Sequence, residues 1–263
     1  MVEMWKRYET FVDHVNIVTK LLIGIILFFF IIFVHNFDVM LYLALVMFIY
    51  LMIFNGSKLK VVLLVTSIGV IFSLISSLFM IFYGKGSHTL FKFGIIHITT
   101  ESLFRGLHLS LRTMTMTFYG VVIAFTSQIV MVFYSLMQNL KLKPKFAYAF
   151  MAAIRMVPLM IESLGQLRNA LKMRYQIISR SNYKGLNYLK HLVIPLLSQN
   201  IRKAHRLSVA MEKKGFKDGP RTYYYHAPLS YRDVLFVIML ILIVSLAFVL
   251  AHMFPITGIM DVR

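Results

Sequence analysis

The feature that most constrains this chain is a series of apolar blocks, each near the length of a bilayer crossing. Hydropathy places them at roughly Leu21–Val34, Val39–Phe54, Val61–Tyr83, Met114–Leu136 and Val234–Phe254. A helix crossing the hydrocarbon core needs about 20 mostly apolar residues, so the first two blocks are short and need flanking residues or a thin local bilayer. Only 14% of the 263 residues are charged and 59% are hydrophobic, against about 25% and 45–50% in soluble domains. So much apolar surface excludes a disordered chain. The absence of cysteine excludes a disulfide scaffold, thiolate metal sites, Fe–S clusters and thiol catalysis. The expected fold is an all-α integral membrane protein.

Charge then orients it. The chain carries +18, and 18 basic against 4 acidic residues between Met137 and Asp233 account for +14 of this. A basic segment flanked by spans reads as cytoplasmic. The segment matches no nucleic-acid-binding module, so no nucleic-acid partner is expected. Lys6, Arg7 and Lys20 then lie inside, as does the Asn55-Gly56-Ser57 turn with Lys58 and Lys60. His35–Asp38, Gly84–Arg105 and the tail from Pro255 fall outside, with Lys85, Lys92 and Arg105 the exceptions to the charge rule. The first block leads directly into the second, so no removable signal peptide is expected. Three regions follow: an N-terminal four-span region, 1–136; a basic cytoplasmic region, 137–233; and a final span with a short outer tail, 234–263.

The basic region is expected to hold two long amphipathic helices lying at the inner membrane face. The first runs from about Lys145 to Ile178, with Pro158 a site for a kink. The second starts at Pro195, suited to a first helical position, and stops before Gly215, suited to the residue just past a helix end. In the second helix Ile201, Ala204, Ser208 and Met211 share one face, while Arg202, Arg206 and Lys213 share another. Both helices end alike, with Ala170 four residues before Arg174 and Ala210 four before Lys214, the two copies 40 residues apart. A small residue and a cation at i and i+4 share a face, so the cation projects beside a surface that another backbone can approach. A cation closing a helix also complements its dipole, which by itself explains the pattern without any partner.

The run Ala210-Met211-Glu212-Lys213-Lys214-Gly215-Phe216, followed by Asp218-Gly219-Pro220-Arg221-Thr222, resembles the A-x-E-x-R-G-[FY]…G-x-R-T signature of the EcfT/CbiQ family. That family comprises the transmembrane T components of energy-coupling factor transporters, a class of ABC importers. Thr19-Lys20-Leu21, Lys143-Pro144, Arg155-Met156-Val157-Pro158 and Ala170…Arg174 are similar to the family in order and spacing. The chain departs from the pattern with Lys214 where arginine is usual and Tyr175 where glycine is common; lysine keeps the charge but loses the planar two-point fork.

The resemblance implies about five transmembrane helices plus two long cytoplasmic coupling helices. It implies two cytosolic ABC ATPase subunits that bind ATP and Mg²⁺, so that this chain holds no cofactor and is not an enzyme. A small membrane-embedded S component is implied as substrate binder, with cargo among vitamins, vitamin precursors and transition-metal ions. It also implies residence in a bacterial cell membrane. Arg174 and Lys214 are the expected docking cations, Ala170 and Ala210 the close-approach positions, Gly215 the helix stop, and Glu212 a carboxylate holding a neighbouring cation in line. Met- and Phe-rich faces suit surfaces that slide and repack.

Nothing in the sequence points to catalysis within this chain. Gly84-Lys85-Gly86-Ser87 lacks phosphate-loop spacing. The nine histidines form no i, i+3 or i, i+4 pair, and His88, His97 and His108 are expected at the outer surface. Glu101 and Asp38 sit near span ends, where charge is tolerated, so a proton relay there is open but not required. Arg112 is expected to snorkel, and Arg155 either to snorkel or to pair with Glu162. Two other readings stand open: a substrate-lining permease of a conventional ABC importer, and a membrane enzyme or structural protein.

Overall fold

The computed structural model describes residues 6–84, 89–93, 96–177, 186–217, 219 and 222–258, without the side chains of 89–93, 96–97, 174–177 and 186–188. Among the described residues are eight α-helices: α1 (Ile17–Phe33), α2 (Phe37–Phe54), α3 (Leu59–Tyr83), α4 (Thr100–Thr126), α5 (Ile129–Asn139), α6 (Pro144–Ile177), α7 (Leu186–Lys213) and α8 (Tyr231–Met253). An antiparallel hairpin of β1 (Thr89–Phe93) and β2 (Ile96–Thr99) joins α3 to α4. The all-α membrane class holds. The chain divides into two compact units, one of residues 1–135 and 227–263, the other of residues 136–226, with the first boundary inside α5.

Among the described residues, five helices are long and apolar enough to cross a membrane: α2, α3, α4, α6 through Met173, and α8. The expected count of about five is met, with a different membership. At 17 residues α1 is about 25 Å long, at the lower limit for a crossing. The helix α6, expected as an amphipathic face helix, also has the length and composition of a span.

In the first unit α4 packs against α1, α2 and α3, and α2 also packs against α8. Val12, Leu27, Met40, Leu43, Met47, Leu51, Val62, Val122, Phe236 and Leu240 are among the residues of this core. Close packing of α3 on α4 rests on small residues. A Cβ on Gly69 would collide with the Thr117 methyl, and one on Gly106 with the Ile81 side chain. Within lipid, where burial supplies little drive between helices, such close backbone approach is how helices associate. The N-terminal segment is tied to the α2–α3 turn: Arg7 and Tyr8 donate to the Gly56 carbonyl at 2.9 and 3.2 Å. Gly56 has φ +63°, and a side chain there would meet the Tyr8 carbonyl.

Two cations cap the ends of neighbouring helices. Lys20, in the first turn of α1 and 1% exposed, donates to the Thr126 carbonyl at 3.0 Å, the last residue of α4. Arg112 of α4 donates in return to the Val34 and Ile32 carbonyls that end α1, at 3.2 and 3.4 Å. A positive charge on a helix C-terminus satisfies carbonyls that have no partner within the helix.

These contacts correct four expectations. The block Met114–Leu136 is two helices, because α4 stops at Thr126 and Ser127 is extended. Thr100–Arg105, expected in an outer loop, forms the start of α4, where Thr99 and Ser102 make reciprocal capping bonds of 3.1 and 3.0 Å. Arg112 does not snorkel; it is half-buried and caps α1. His108 is not at the surface but buried at 6% exposure on α4; His88 and the His97 side chain lie outside the described residues. Asp38 is also buried, and it fastens the tail by accepting from Thr257 N, Thr257 Oγ1 and Gly258 N at 3.0, 2.8 and 3.0 Å.

Candidate functional site

The candidate site is the second unit, which carries both Ala…cation motifs. Its long helices α6 and α7 pack antiparallel. Near the start of α6, the Tyr148 ring meets Phe216, just past the end of α7, edge to face with centroids 5.7 Å apart. Farther along, Lys203 Nζ donates to Ser163 Oγ at 3.2 Å. Antiparallel packing sets the two motifs at opposite ends of the pair, Ala170…Arg174 closing α6 and Ala210…Lys214 closing α7.

The second motif is a fully formed helix stop. Phe216 N donates to the Met211 carbonyl at 3.0 Å and Gly215 N to the Glu212 carbonyl at 2.9 Å, with Gly215 at φ +83°. This is the Schellman arrangement, which needs a left-handed residue just past the helix and a hydrophobic residue after it. Gly215 therefore holds the stop position expected of it. The turn projects Phe216 back onto α6 and leaves Ala210, Glu212 and Lys214 exposed.

The first motif ends α6. Ala170 is exposed and Leu171 is buried; the side chain of Arg174 lies outside the described residues. Pro158 sits inside the continuous helix α6. Pro195 does not begin α7; it lies inside a helix that starts at Leu186. Burial of Leu192 and Leu196 on either side of the proline holds these turns, overriding the local start signal. Arg155 and Glu162 are both exposed and form no ion pair with each other. Glu212 is in no ion pair among the described residues.

Between the helices lies a groove of about 500 Å³. Ala149, Ala152, Ala153 and Met156 form its α6 wall, and Ala204, Leu207, Ser208 and Met211 its α7 wall. Three of the four residues expected on the apolar face of α7 line this groove; Ile201 is exposed instead. Lys145 and Glu212 stand at the end where Phe216 closes it. Sequence reading missed the α6 wall, although Ala149, Ala152, Ala153 and Met156 recur at the three- and four-residue spacing of one helix face. The Tyr148–Phe216 contact has no local signal, because its partners lie far apart in the chain.

A family model, CbiQ, described as a cobalt transport protein, matches residues 9–225, which include all of α6 and α7. Three similar proteins are named energy-coupling factor transporter transmembrane protein EcfT. The one from Streptococcus equi is 25% identical over 199 residues, 72% of this chain and 71% of its own. That from Lactococcus lactis is 27% identical over 182 residues, covering 66% and 68%. That from Macrococcus caseolyticus is 29% identical over 185 residues, covering 66% of each chain. With the apolar helices and the paired motifs, this match places the chain in the EcfT/CbiQ family, the transmembrane components of energy-coupling factor transporters.

Proposed function

We propose that this chain is the non-catalytic coupling subunit of an importer driven by two cytosolic ABC ATPases. One ATPase docks at the end of α6 through Arg174, beside Ala170, and the other at the end of α7 through Lys214, beside Ala210. Closure of the ATPases on ATP and Mg²⁺ moves the helix ends, and the motion reorients a small membrane S component that carries the cargo. The cargo is a vitamin, a vitamin precursor or a transition-metal ion. The chain sits in the bacterial cell membrane with its N-terminus in the cytoplasm, the side on which its basic segment is placed by the positive-inside rule.

The observation that carries this reading is the antiparallel pairing of α6 and α7. It separates two similar cationic helix ends by the length of the pair, and gives each partner its own rigid lever. Each helix carries a push along its hydrogen-bond ladder, which lacks one bond at Pro158 in α6 and one at Pro195 in α7. At the α7 end the Schellman turn fixes Lys214 just ahead of Gly215, and the exposed Ala210 leaves room for a partner backbone.

The test is affinity purification of the tagged chain from its own membranes in mild detergent, with identification of what accompanies it. Two ATPase subunits and a small hydrophobic protein are expected, and the small protein identifies the cargo. ATPases with a soluble binding protein and no small membrane partner would replace this reading with that of a conventional permease. No ATPase at all would overturn it.

A further inference from the structure

The second unit is inserted into the first: the chain leaves at Ser135 and returns at Ala227. Gln138 Nε2 donates to the Tyr225 carbonyl at 2.6 Å just beyond these places, and Asn16 ties both of them to α1. Asn16, the N-cap of α1 and 8% exposed, accepts at Oδ1 from Ser135 Oγ and from Val18 N, the latter at 3.0 Å. Its Nδ2 donates to the Ala227 carbonyl at 2.8 Å and to the Pro228 carbonyl at 3.4 Å. A side-chain amide has two donor and two acceptor sites, and all four are used here. The Asn16 backbone N donates to Asp233 Oδ1 at 2.7 Å, and Asp233 Oδ2 in turn accepts from Ser230 N at 2.6 Å to cap α8.

We infer that Asn16 is a positioning residue for coupling: it clasps the outgoing and returning chain together at the base of the inserted unit and fixes both to the first turn of α1. The inference rests on the proposed function in one respect, that movement of the second unit is what the spans must receive. A unit joined to the spans by two chain crossings passes force through those crossings. If they are free to slide past each other, displacement of α6 and α7 is absorbed there. If they are joined to each other and to a buried helix start, the displacement reaches α1. Lys20, one turn further along, strengthens the same point, because its backbone N donates to the Asn16 carbonyl at 3.2 Å while its ammonium ends α4. The capping of α1 alone does not require an asparagine. Serine and aspartate cap helices equally well, so the reach to Ala227 and Pro228 is the feature that sets Asn16 apart.

That distinction supplies the test. Asn16→Ser keeps an N-cap oxygen for Val18 but has no amide to reach the Ala227 and Pro228 carbonyls. In the purified full-length chain, hydrogen exchange at amides of residues 129–139 and 227–236 should quicken about tenfold, equivalent to ~1.4 kcal/mol of lost local stability. Exchange in α2 and α3 should not change. In the complex with its ATPases and S component, Asn16→Ser should bind both partners at wild-type levels and keep its ATP hydrolysis. Cargo taken up per ATP should fall about tenfold. Asn16→Gln, which keeps the amide, should recover part of that ratio. Unchanged exchange in Asn16→Ser would overturn the clasp. Quickened exchange with an unchanged transport-to-hydrolysis ratio would overturn its role in coupling. Absence of ATPases from the wild-type complex would instead overturn the proposed function, while the exchange result still decides the clasp.

Discussion

In the first unit α2 buries half of its most apolar 18-residue window, whereas in the second α6 buries 6% of its own. Both helices have the length and composition of spans, so the difference lies in what surrounds them. Around α2 the chain supplies its own neighbours, α4 and α8, and most of the buried apolar side chains belong to that unit. Among its described residues the second unit buries little apolar surface beyond Met137, Ala147, Leu171, Leu192 and Leu196, and leaves Phe146, Phe150, Val157, Leu159 and Ile161 exposed along α6. A helix apolar on so much of its surface is stable only against lipid or another protein. The first unit thus supplies neighbours for α2, although α3 and α8 bury only 22% and 28% of their own apolar windows, and the second unit supplies still fewer for α6.

The contrast extends to cations, and that makes it breakable. In the first unit Lys20 is buried and serves as a structural cap, so removing it leaves the Thr126 carbonyl without a donor. Lys20→Met should lower stability in detergent by about 3 kcal/mol, the upper range for a hydrogen bond to a charged group. A shift in thermal unfolding midpoint no larger than that of a surface variant would erase the distinction. Gly106→Val comes next. Its side chain would press on Ile81 and on the Ser77 carbonyl, and overpacking at such a site costs about 2 kcal/mol. Wild-type stability there would mean that α3 and α4 are not in close contact.

Asp38→Ala should cost about 1 kcal/mol and expose the tail, since Thr257 and Gly258 lose their acceptor. Limited proteolysis would detect this as faster cleavage after Phe254. The smallest effect belongs to the second unit. Arg155→Ala should change stability by less than ~0.5 kcal/mol, because the side chain is exposed and unpaired with Glu162. A larger loss would assign α6 an internal contact that the comparison denies it.

The same contrast explains what the sequence reading captured. The blocks that became α1, α2, α3 and α8 are apolar throughout, so hydropathy alone locates them. The start of α4 is hidden because Arg105, His108, Ser110 and Arg112 depress its hydropathy; their places are set by α3 and by the end of α1, which no local window contains. The break after Thr126 depends on Lys20, more than a hundred residues earlier. In the second unit the stop at Gly215 was legible, because a Schellman turn is local chemistry. The start of α7 was misplaced for the opposite reason: a proline signal at Pro195 yielded to the burial of Leu192 and Leu196. The two cationic ends were legible as a repeat, but their opposition across an antiparallel pair comes from Tyr148 meeting Phe216.

The central claim is that the second unit is completed by two ATPases held at its cationic ends, and native mass spectrometry of the purified complex tests it most directly. The wild-type chain should carry two ATPase subunits, and so should Lys214→Arg, which keeps the charge and adds the two-point fork. The double variant Arg174→Glu with Lys214→Glu should carry none, while its thermal unfolding in detergent matches wild type. ATPases retained by that double variant would contradict the account.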